Sequence, residues 1–167
     1  VIDDEDFLPS ETLRRHNFNI TKKDDIDSIN DLKPYPIIMC DIQGVGKKIG
    51  DFEGASIIKT TAEVFPNKQT ISYTSGTHNI EYSNFLSLAD QLVTKGTSSD
   101  TWVEILDAEI KKAIDPIYQW KRTRTALLNE NVSTITVARL ENEYVKCVKK
   151  RDFTELQKLV DNINTLK

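Results

Sequence analysis

The sequence predicts an α/β protein in which a doubly wound parallel sheet of five strands is followed by an α-helical extension. Strand and helix signals alternate along residues 1–114, and one strand signal is a continuous apolar run. No strand signal remains beyond residue 115. Such alternation is typical of a parallel sheet with helices on both faces. We therefore expect a sheet domain over residues 1–114 and a helical domain over residues 115–167.

The first part of the alternation contains three predicted strands and two short helices. In chain order these are strand 1–2, helix 10–16, strand 19–21, helix 27–33 and strand 36–40. The last strand reads Pro-Ile-Ile-Met-Cys, with no polar residue in alternate positions. This pattern is typical of a strand that is buried on both faces of a parallel sheet. The strand ends at Asp41.

The rest of the alternation contains two strands and three helices. In chain order these are helix 55–65, strand 69–74, a looser helix 79–88, strand 90–94 and helix 99–114. β-Branched and aromatic residues predict the strand at 69–74. Trp102, Leu106 and Ile110 recur at helical spacing. Beyond residue 115, apolar residues at the same spacing predict helices over 117–129, 134–150 and 153–164.

Composition and charge narrow the class of protein. Residues 1–115 contain 12 Lys and Arg against 20 Asp and Glu, whereas residues 116–167 contain 10 against 6, so the net charge of −4 is unevenly spread. We expect no membrane span, because no apolar run approaches 18 residues, and we see no charged-then-apolar leader. Cys40 and Cys147 require no disulfide, and we therefore expect a cytoplasmic protein.

The stretch Gly44-Val45-Gly46-Lys47 resembles part of a nucleotide-binding loop, but the rest of that motif is missing. A Walker loop needs Gly-x4-Gly-Lys-Ser/Thr. Asp41 occupies the position of the first glycine, and Lys48 occupies the position of the hydroxyl residue. We therefore interpret this stretch as a glycine-rich turn and not as a phosphate-binding loop.

Charged and hydroxyl side chains follow four of the five predicted strands. Ligands of an open parallel sheet gather at the carboxyl ends of its strands. Carboxylates brought together there repel one another and need a cation. Mg²⁺ is the natural one, since it takes a few oxygen ligands and bridges to phosphate. The residues at these strand ends are Asp3, Asp4, Asp41, Thr74, Ser75 and Lys95.

Taken in chain order, the motifs of residues 1–114 resemble those of the receiver domain of two-component response regulators. The resemblance is carried by Ile2-Asp3-Asp4, Ile38-Met39-Cys40-Asp41, Gly54 before an apolar helix, Phe65-Pro66, Tyr73-Thr74-Ser75-Gly76 and Ala89-Asp90 with Thr94-Lys95-Gly96. It implies the flavodoxin-like strand order 2-1-3-4-5. It also implies a phosphorylation-dependent signalling switch whose partner is a histidine kinase or a phosphotransfer protein.

The resemblance assigns the phosphorylation chemistry to three positions. Asp41 would be the nucleophile that accepts the phosphoryl group. Lys95 would pair with a phosphoryl oxygen. The hydroxyl of Ser75, or that of Thr74, would bind another phosphoryl oxygen, and both stay open because a shift of one residue reverses which side chain faces the site.

The resemblance also implies a cation site beside the nucleophile. Mg²⁺ would be held by Asp4, Asp41 and the backbone carbonyl of Gln43, with Asp3 contributing through a water molecule. Such a protein would at most accept a phosphoryl group and slowly lose it to water. We do not expect a metabolic enzyme.

Two of the departures from the receiver pattern leave an alternative open. The predicted first helix is short, and Leu92 stands three residues before Lys95, where the family usually has an aromatic residue. The alternative is a receiver-like adaptor that binds a protein partner without phosphorylation. A haloacid-dehalogenase-like phosphatase is disfavoured, since it needs a second aspartate at position 43, which is Gln43.

The helical extension is expected to be the output element or a homodimer interface. Its apolar stripes either pack on the rest of the protein or pair with a second copy. Lys121, Arg122 and Arg124 form a basic cluster, but no DNA-binding pattern accompanies it, and nucleic acid is therefore not an expected partner.

Overall fold

The computed structural model describes residues 1–75 and 82–164. The chain divides into two compact units, residues 1–113 and residues 114–167. The first unit is built on a sheet, and the second consists of helices.

The sheet of the first unit has three parallel strands in the order β1-β2-β3. The strands are β1 (Ile37–Asp41), β2 (Gln69–Thr74) and β3 (Gln91–Thr94). Every residue of β2 is buried, because this central strand is covered on both faces. The parallel α/β architecture predicted from the sequence is confirmed.

The prediction of five full strands is not confirmed, because the first two predicted strands are single bridges. Ile2 forms parallel bridges with Lys23 and with Cys40. The segments are therefore ordered Lys23, Ile2, β1, β2, β3 across the sheet. Lys22, Lys23, Asp24 and Asp25 give the Lys23 edge a run of charge, and charged residues are typical of short, blunted edges.

Helices connect the strands of the first unit, and one more follows the last strand, as predicted. They are α1 (Ser10–Arg15), a short 3-10 helix (Ile29–Leu32), α2 (Glu53–Val64), α3 (Ser83–Leu86) and α4 (Ser99–Ile114). The 3-10 helix begins with a capping box in which the side chains of Ser28 and Asp31 accept each other's backbone N–H groups. The predicted helix 79–88 lies partly outside the described residues, and α3 is its described part.

The two faces of the sheet carry separate apolar clusters. One face packs against α2 through Ile2, Ile38, Cys40, Val45, Ile57 and Ile58, among others. The other face packs against α1 and α4 through Phe7, Leu13, Met39, Ile71, Tyr73, Val93, Trp102 and Leu106. Two-sided burial explains why β1 reads as a continuous apolar run.

Helix α1 contains only six residues. A cavity of about 430 Å³ lies on the face of the sheet that packs against α1 and α4. The cavity is lined by apolar side chains that include Val1, Ile20, Ile37, Met39, Leu106 and Ile110. The short first helix predicted from the sequence is thus present.

The second unit contains α5 (Pro116–Asn129), α6 (Thr134–Lys150) and α7 (Phe153–Asn164), as the sequence predicted. Asp115 caps α5, because its carboxylate accepts the N–H groups of Ile117 and Tyr118. The core of this unit is formed by Trp120, Leu127, Val137, Leu140, Leu159 and Ile163. Within the described ranges, no helix of the chain has the length and apolarity that crossing a membrane requires.

Candidate functional site

The sheet register brings the acidic residues together at the carboxyl ends of the strands. Ile2 bridges Cys40, and Asp3 therefore lies beside Asp41, the last residue of β1. Tyr73 of β2 is the register partner of Asp41. Register partners in a parallel sheet point to the same face. Asp3, Asp41 and Tyr73 consequently share one face at one edge of the sheet.

Three carboxylates at this edge fit a small divalent cation. One oxygen each from Asp3, Asp4 and Asp41 lies within 4.8 Å of the other two. Oxygens bound to one Mg²⁺ ion at about 2.1 Å are at most about 4.2 Å apart, so a small inward movement suffices. Asp3 and Asp41 are buried, whereas Asp4 is exposed. The donor set contains only oxygen, which is the chemistry that Mg²⁺ prefers.

Both oxygens of the Asp41 carboxylate have donors. Oδ1 accepts the backbone N–H of Ile42 at 2.6 Å. Oδ2 lies 2.7 Å from the ammonium nitrogen of Lys95. Only 5% of the Asp41 side chain is exposed, and a charged hydrogen bond in such surroundings is strong. These two donors therefore fix the orientation of the carboxylate.

Lys95 lies at the centre of several carboxylates. Its ammonium is 3.1 Å from Glu5 and 3.7 Å from Asp3, in addition to its contact with Asp41. Burial opposes the charged form, but the hydrogen bonds to Asp41 and Glu5 and the nearby negative charges outweigh it and raise the pKa of Lys95. Lys95 therefore carries a full positive charge at the site.

Asp3 is held by two donors that the sequence interpretation did not include. The hydroxyl of Tyr73 donates to Asp3 Oδ2 at 2.7 Å, and the backbone N–H of Glu5 donates to Oδ1 at 2.9 Å. Burial, together with this hydrogen bond, raises the pKa of Tyr73 far above its ordinary value. Tyr73 is thus a neutral hydrogen-bond donor to a buried carboxylate.

The loop after Asp41 packs closely on the site, and two glycines make this possible. Gly44 has φ +81°, and a Cβ there would lie 2.2 Å from Asp4 Oδ2. A Cβ at Gly54 would lie 1.8 Å from the carbonyl oxygen of Asp41. Glu53 closes the loop by accepting the N–H of Gly44 at 3.1 Å. Gly44 in the loop and Gly54 at the start of α2 therefore allow the backbone to approach the acidic site closely.

The remaining predicted residues lie at the same edge. Gln43 is exposed in the loop that follows Asp41. Thr74 ends β2 and is buried, and its carbonyl accepts the N–H of Lys95 at 2.8 Å. Ser75 follows it and is exposed. The choice between the Ser75 and Thr74 hydroxyls stays a prediction, as does the role of the Gln43 carbonyl.

Tyr73 and Glu5 are the site residues that the sequence interpretation missed. Tyr73 falls in the predicted strand 69–74 and in the motif Tyr73-Thr74-Ser75-Gly76, and neither pattern assigns it a role at the site. The available signal was its alternation along β2: Ile71 and Tyr73 point to one face, and a phenol at a strand end can reach a polar neighbour. Glu5 belongs to the acidic run that begins at Asp3, but its partner Lys95 is 90 residues away along the chain.

Two of the solved structures that match share the fold of about two thirds of this chain. The receiver domain of NtrX from Brucella abortus matches with a TM-score of 0.54 and 17% identity, covering 66% of this chain and 95% of that chain. A CheY-like response regulator receiver domain protein from Methanospirillum hungatei JF-1 matches with a TM-score of 0.52 and 15% identity, covering 67% of this chain and 91% of that one. The chain has the fold of response regulator receiver domains, in a divergent form.

Sequence comparison adds no family assignment. No protein family model matches the chain, and no curated protein matches it by sequence.

Proposed function

We propose that this protein is a phosphorylation-dependent signalling switch that accepts a phosphoryl group on Asp41 with Mg²⁺. The observation that carries the proposal is the convergence of Asp3, Asp4 and Asp41 within 4.8 Å, with Lys95 at 2.7 Å from Asp41, on a fold shared with receiver domains. Buried carboxylates are costly unless they are paired or bind a metal. Their accumulation at a strand end therefore supports a chemical role.

Asp41 would act as the nucleophile. One of its carboxylate oxygens would attack the phosphorus of a phosphohistidine on a histidine kinase or phosphotransfer protein. The bond between phosphorus and the histidine nitrogen would break, and its electron pair would stay on the imidazole. The product is an aspartyl phosphate, which water would slowly hydrolyse. The hydrogen bond from Ile42 orients the Asp41 carboxylate for this attack.

The cation would be held by Asp3, Asp4, Asp41 and the backbone carbonyl of Gln43, with Asp3 acting through a water molecule. When bound, Mg²⁺ supplies positive charge that neutralises the phosphoryl oxygens. Asp4 is the exposed member of the carboxylate set, and a cation from solvent would therefore meet it first.

Lys95 would stabilise the phosphorylated state. Its ammonium now contacts Asp41, Glu5 and Asp3, and it would turn to an oxygen of the transferred group. The hydroxyl of Ser75 or Thr74 would bind another oxygen. Movement of that hydroxyl would change the structure at the end of β2, and the helical extension would act as the output element or as a homodimer interface.

A small phosphoryl donor tests the proposal directly. The intact chain is incubated with phosphoramidate and Mg²⁺, and its mass is measured. We expect a gain of one phosphoryl group that requires Mg²⁺ and is lost in Asp41→Asn. The matched control is Asp107→Asn, an exposed carboxylate of α4 that should leave the gain unchanged. A gain of equal size in Asp41→Asn would contradict the assignment of Asp41.

A phosphorylation-independent adaptor is the second candidate function. It is favoured by the six-residue α1 and by Leu92, which is 50% exposed where receivers usually carry an aromatic residue. An adaptor would bind its protein partner equally well before and after phosphoramidate treatment. A switch would bind it with different affinity in the two states.

A further inference from the structure

We propose that Tyr73 is a positioning residue of the acidic site, because its hydroxyl fixes the Asp3 carboxylate in the orientation that a divalent cation requires. The proposal rests on the cation site of the proposed function and adds a residue to it. Tyr73 does not contact the cation itself and would act through Asp3.

The two carboxylate oxygens of Asp3 have different hydrogen-bond partners. Oδ2 accepts the Tyr73 hydroxyl at 2.7 Å, inside the sheet unit, where both residues are only 2% exposed. Oδ1 accepts the N–H of Glu5 and lies 3.7 Å from the Lys95 ammonium. Tyr73 therefore anchors one oxygen, and the other oxygen lies beside Lys95 at the mouth of the site.

The Tyr73 ring is itself held rigidly. It packs edge-on against Trp102 at 5.8 Å between ring centroids, and against Phe7 at 5.5 Å. The backbone of Tyr73 is fixed in β2 opposite Asp41. A donor on a rigid support lowers the entropy that its acceptor loses on binding a ligand. The anchoring of Asp3 is thus already present before any cation binds.

The physical reason for the anchor is the burial of the Asp3 charge. A buried carboxylate that loses a hydrogen bond must move towards water or remain in place at a higher free energy. Each outcome weakens it as a ligand or as the acceptor of a metal-bound water. Removal of a hydrogen-bond partner that orients a metal ligand typically lowers metal affinity about 10-fold to 100-fold.

Tyr73→Phe removes only the hydroxyl and tests this role. Mg²⁺ affinity of the intact chain is measured by titration calorimetry, and folding is checked by circular dichroism. We expect Mg²⁺ to bind about 10-fold to 100-fold more weakly than to the wild type. The matched control is Tyr144→Phe, which removes a hydroxyl that donates to the carbonyl of Pro116 in the helical unit, and it should bind Mg²⁺ as the wild type does.

A double-mutant cycle separates positioning from general packing. In an Asp3→Asn background, adding Tyr73→Phe should change Mg²⁺ affinity by less than about twofold, because the acceptor that Tyr73 orients is no longer a charged carboxylate. The comparison of Asp3→Asn with the double variant also tests the proposal if Tyr73→Phe alone fails to fold. In the double variant Asn replaces the carboxylate, so no buried charge loses its hydrogen-bond donor.

Three results would overturn the role of Tyr73 and leave the proposed function standing. They are wild-type Mg²⁺ affinity in folded Tyr73→Phe, an equal loss of affinity in Tyr144→Phe, and a further loss of affinity when Tyr73→Phe is added to the Asp3→Asn background. Failure of the wild type to bind Mg²⁺ would instead overturn the cation site of the proposed function, and the role of Tyr73 with it.

Discussion

The two units of the chain differ in what they bury. The sheet unit buries Asp3, Asp41 and Glu109, together with several hydroxyl and amide side chains. In the described part of the helical unit, Thr123 is the one buried polar residue, and the core consists of Trp120, Leu127, Leu140 and other apolar side chains.

This difference supports the placement of the proposed chemistry in the sheet unit. Burying a charge lowers stability unless pairing compensates for it, so buried carboxylates at a strand end indicate a function other than folding. The helical unit has the composition of a packing or binding element. The comparison predicts that substitutions in each unit affect different measurements. Trp102 and Trp120 are the only tryptophans, one in each unit, so each reports on its own surroundings.

Gly54→Ala should have the largest effect on stability. The new Cβ would lie 1.8 Å from the carbonyl oxygen of Asp41, and a backbone atom moves only at high cost. We expect the free energy of unfolding to fall by about 3 kcal/mol or more, measured by urea denaturation with Trp102 fluorescence in a Trp120→Phe background. Gly96→Ala is the control, because a Cβ there meets nothing within 4 Å. Equal stability of the two variants would contradict the close packing at Asp41.

Leu140→Ala tests the helical unit in the same way. Leu140 is 2% exposed in the core of that unit, so its truncation should lower the free energy of unfolding by about 2–5 kcal/mol. Trp120 fluorescence in a Trp102→Phe background measures this loss. Mg²⁺ affinity at a temperature where the variant is folded should be unchanged. A large loss of Mg²⁺ affinity would show that the units are less separate in function than the comparison implies.

Lys95→Ala should separate cation binding from phosphoryl binding. The ammonium repels a second cation, so its removal should raise Mg²⁺ affinity by at least about fivefold, which corresponds to about 1 kcal/mol between a unit charge and a doubly charged ion roughly 8 Å apart in water. The same variant should lose binding of beryllofluoride, a phosphoryl analogue, because the partner of its anionic fluorides is missing. Lys111→Ala on the exposed side of α4 should change neither quantity. Weaker Mg²⁺ binding in Lys95→Ala would contradict this placement of the charge.

Asp115→Ala should have the smallest effect. The Asp115 carboxylate accepts the N–H groups of Ile117 and Tyr118 at the start of α5. Loss of such a cap costs about 1 kcal/mol. Thermal denaturation followed by circular dichroism should show this loss, and Asp115→Asn, which retains a capping oxygen, should recover most of it. A loss of phosphoryl acceptance in Asp115→Ala would contradict the confinement of the chemistry to the sheet unit.

The elements that the sequence predicted well are those with a strong local signal. The strand at 69–74 and the helices of the extension match the structure, because β-branched and apolar periodicity is a property of neighbouring residues. The strand predicted at 19–21 is replaced by a bridge at Lys23, since a charged edge segment depends on tertiary pairing more than on propensity.

The sequence predicted the carboxylates of the candidate site, but it did not predict the side chains that orient them. Asp3, Asp4 and Asp41 follow strands, and strand ends of a parallel sheet meet at one edge. The hydrogen bond from the Tyr73 hydroxyl to Asp3 depends on the register between strands and on the reach of the Tyr73 side chain. Neither can be predicted from neighbouring residues in the sequence.

The most direct test of the central claim is a beryllofluoride titration of wild type and Asp41→Asn, with and without Mg²⁺. Trp102 packs against Tyr73, and the Tyr73 hydroxyl donates a hydrogen bond to Asp3. The fluorescence of Trp102 should therefore report occupation of the site. We expect a saturable change that needs Mg²⁺ and vanishes in Asp41→Asn. Absence of binding in the folded wild type would contradict the switch and leave the constitutive adaptor as the function to pursue.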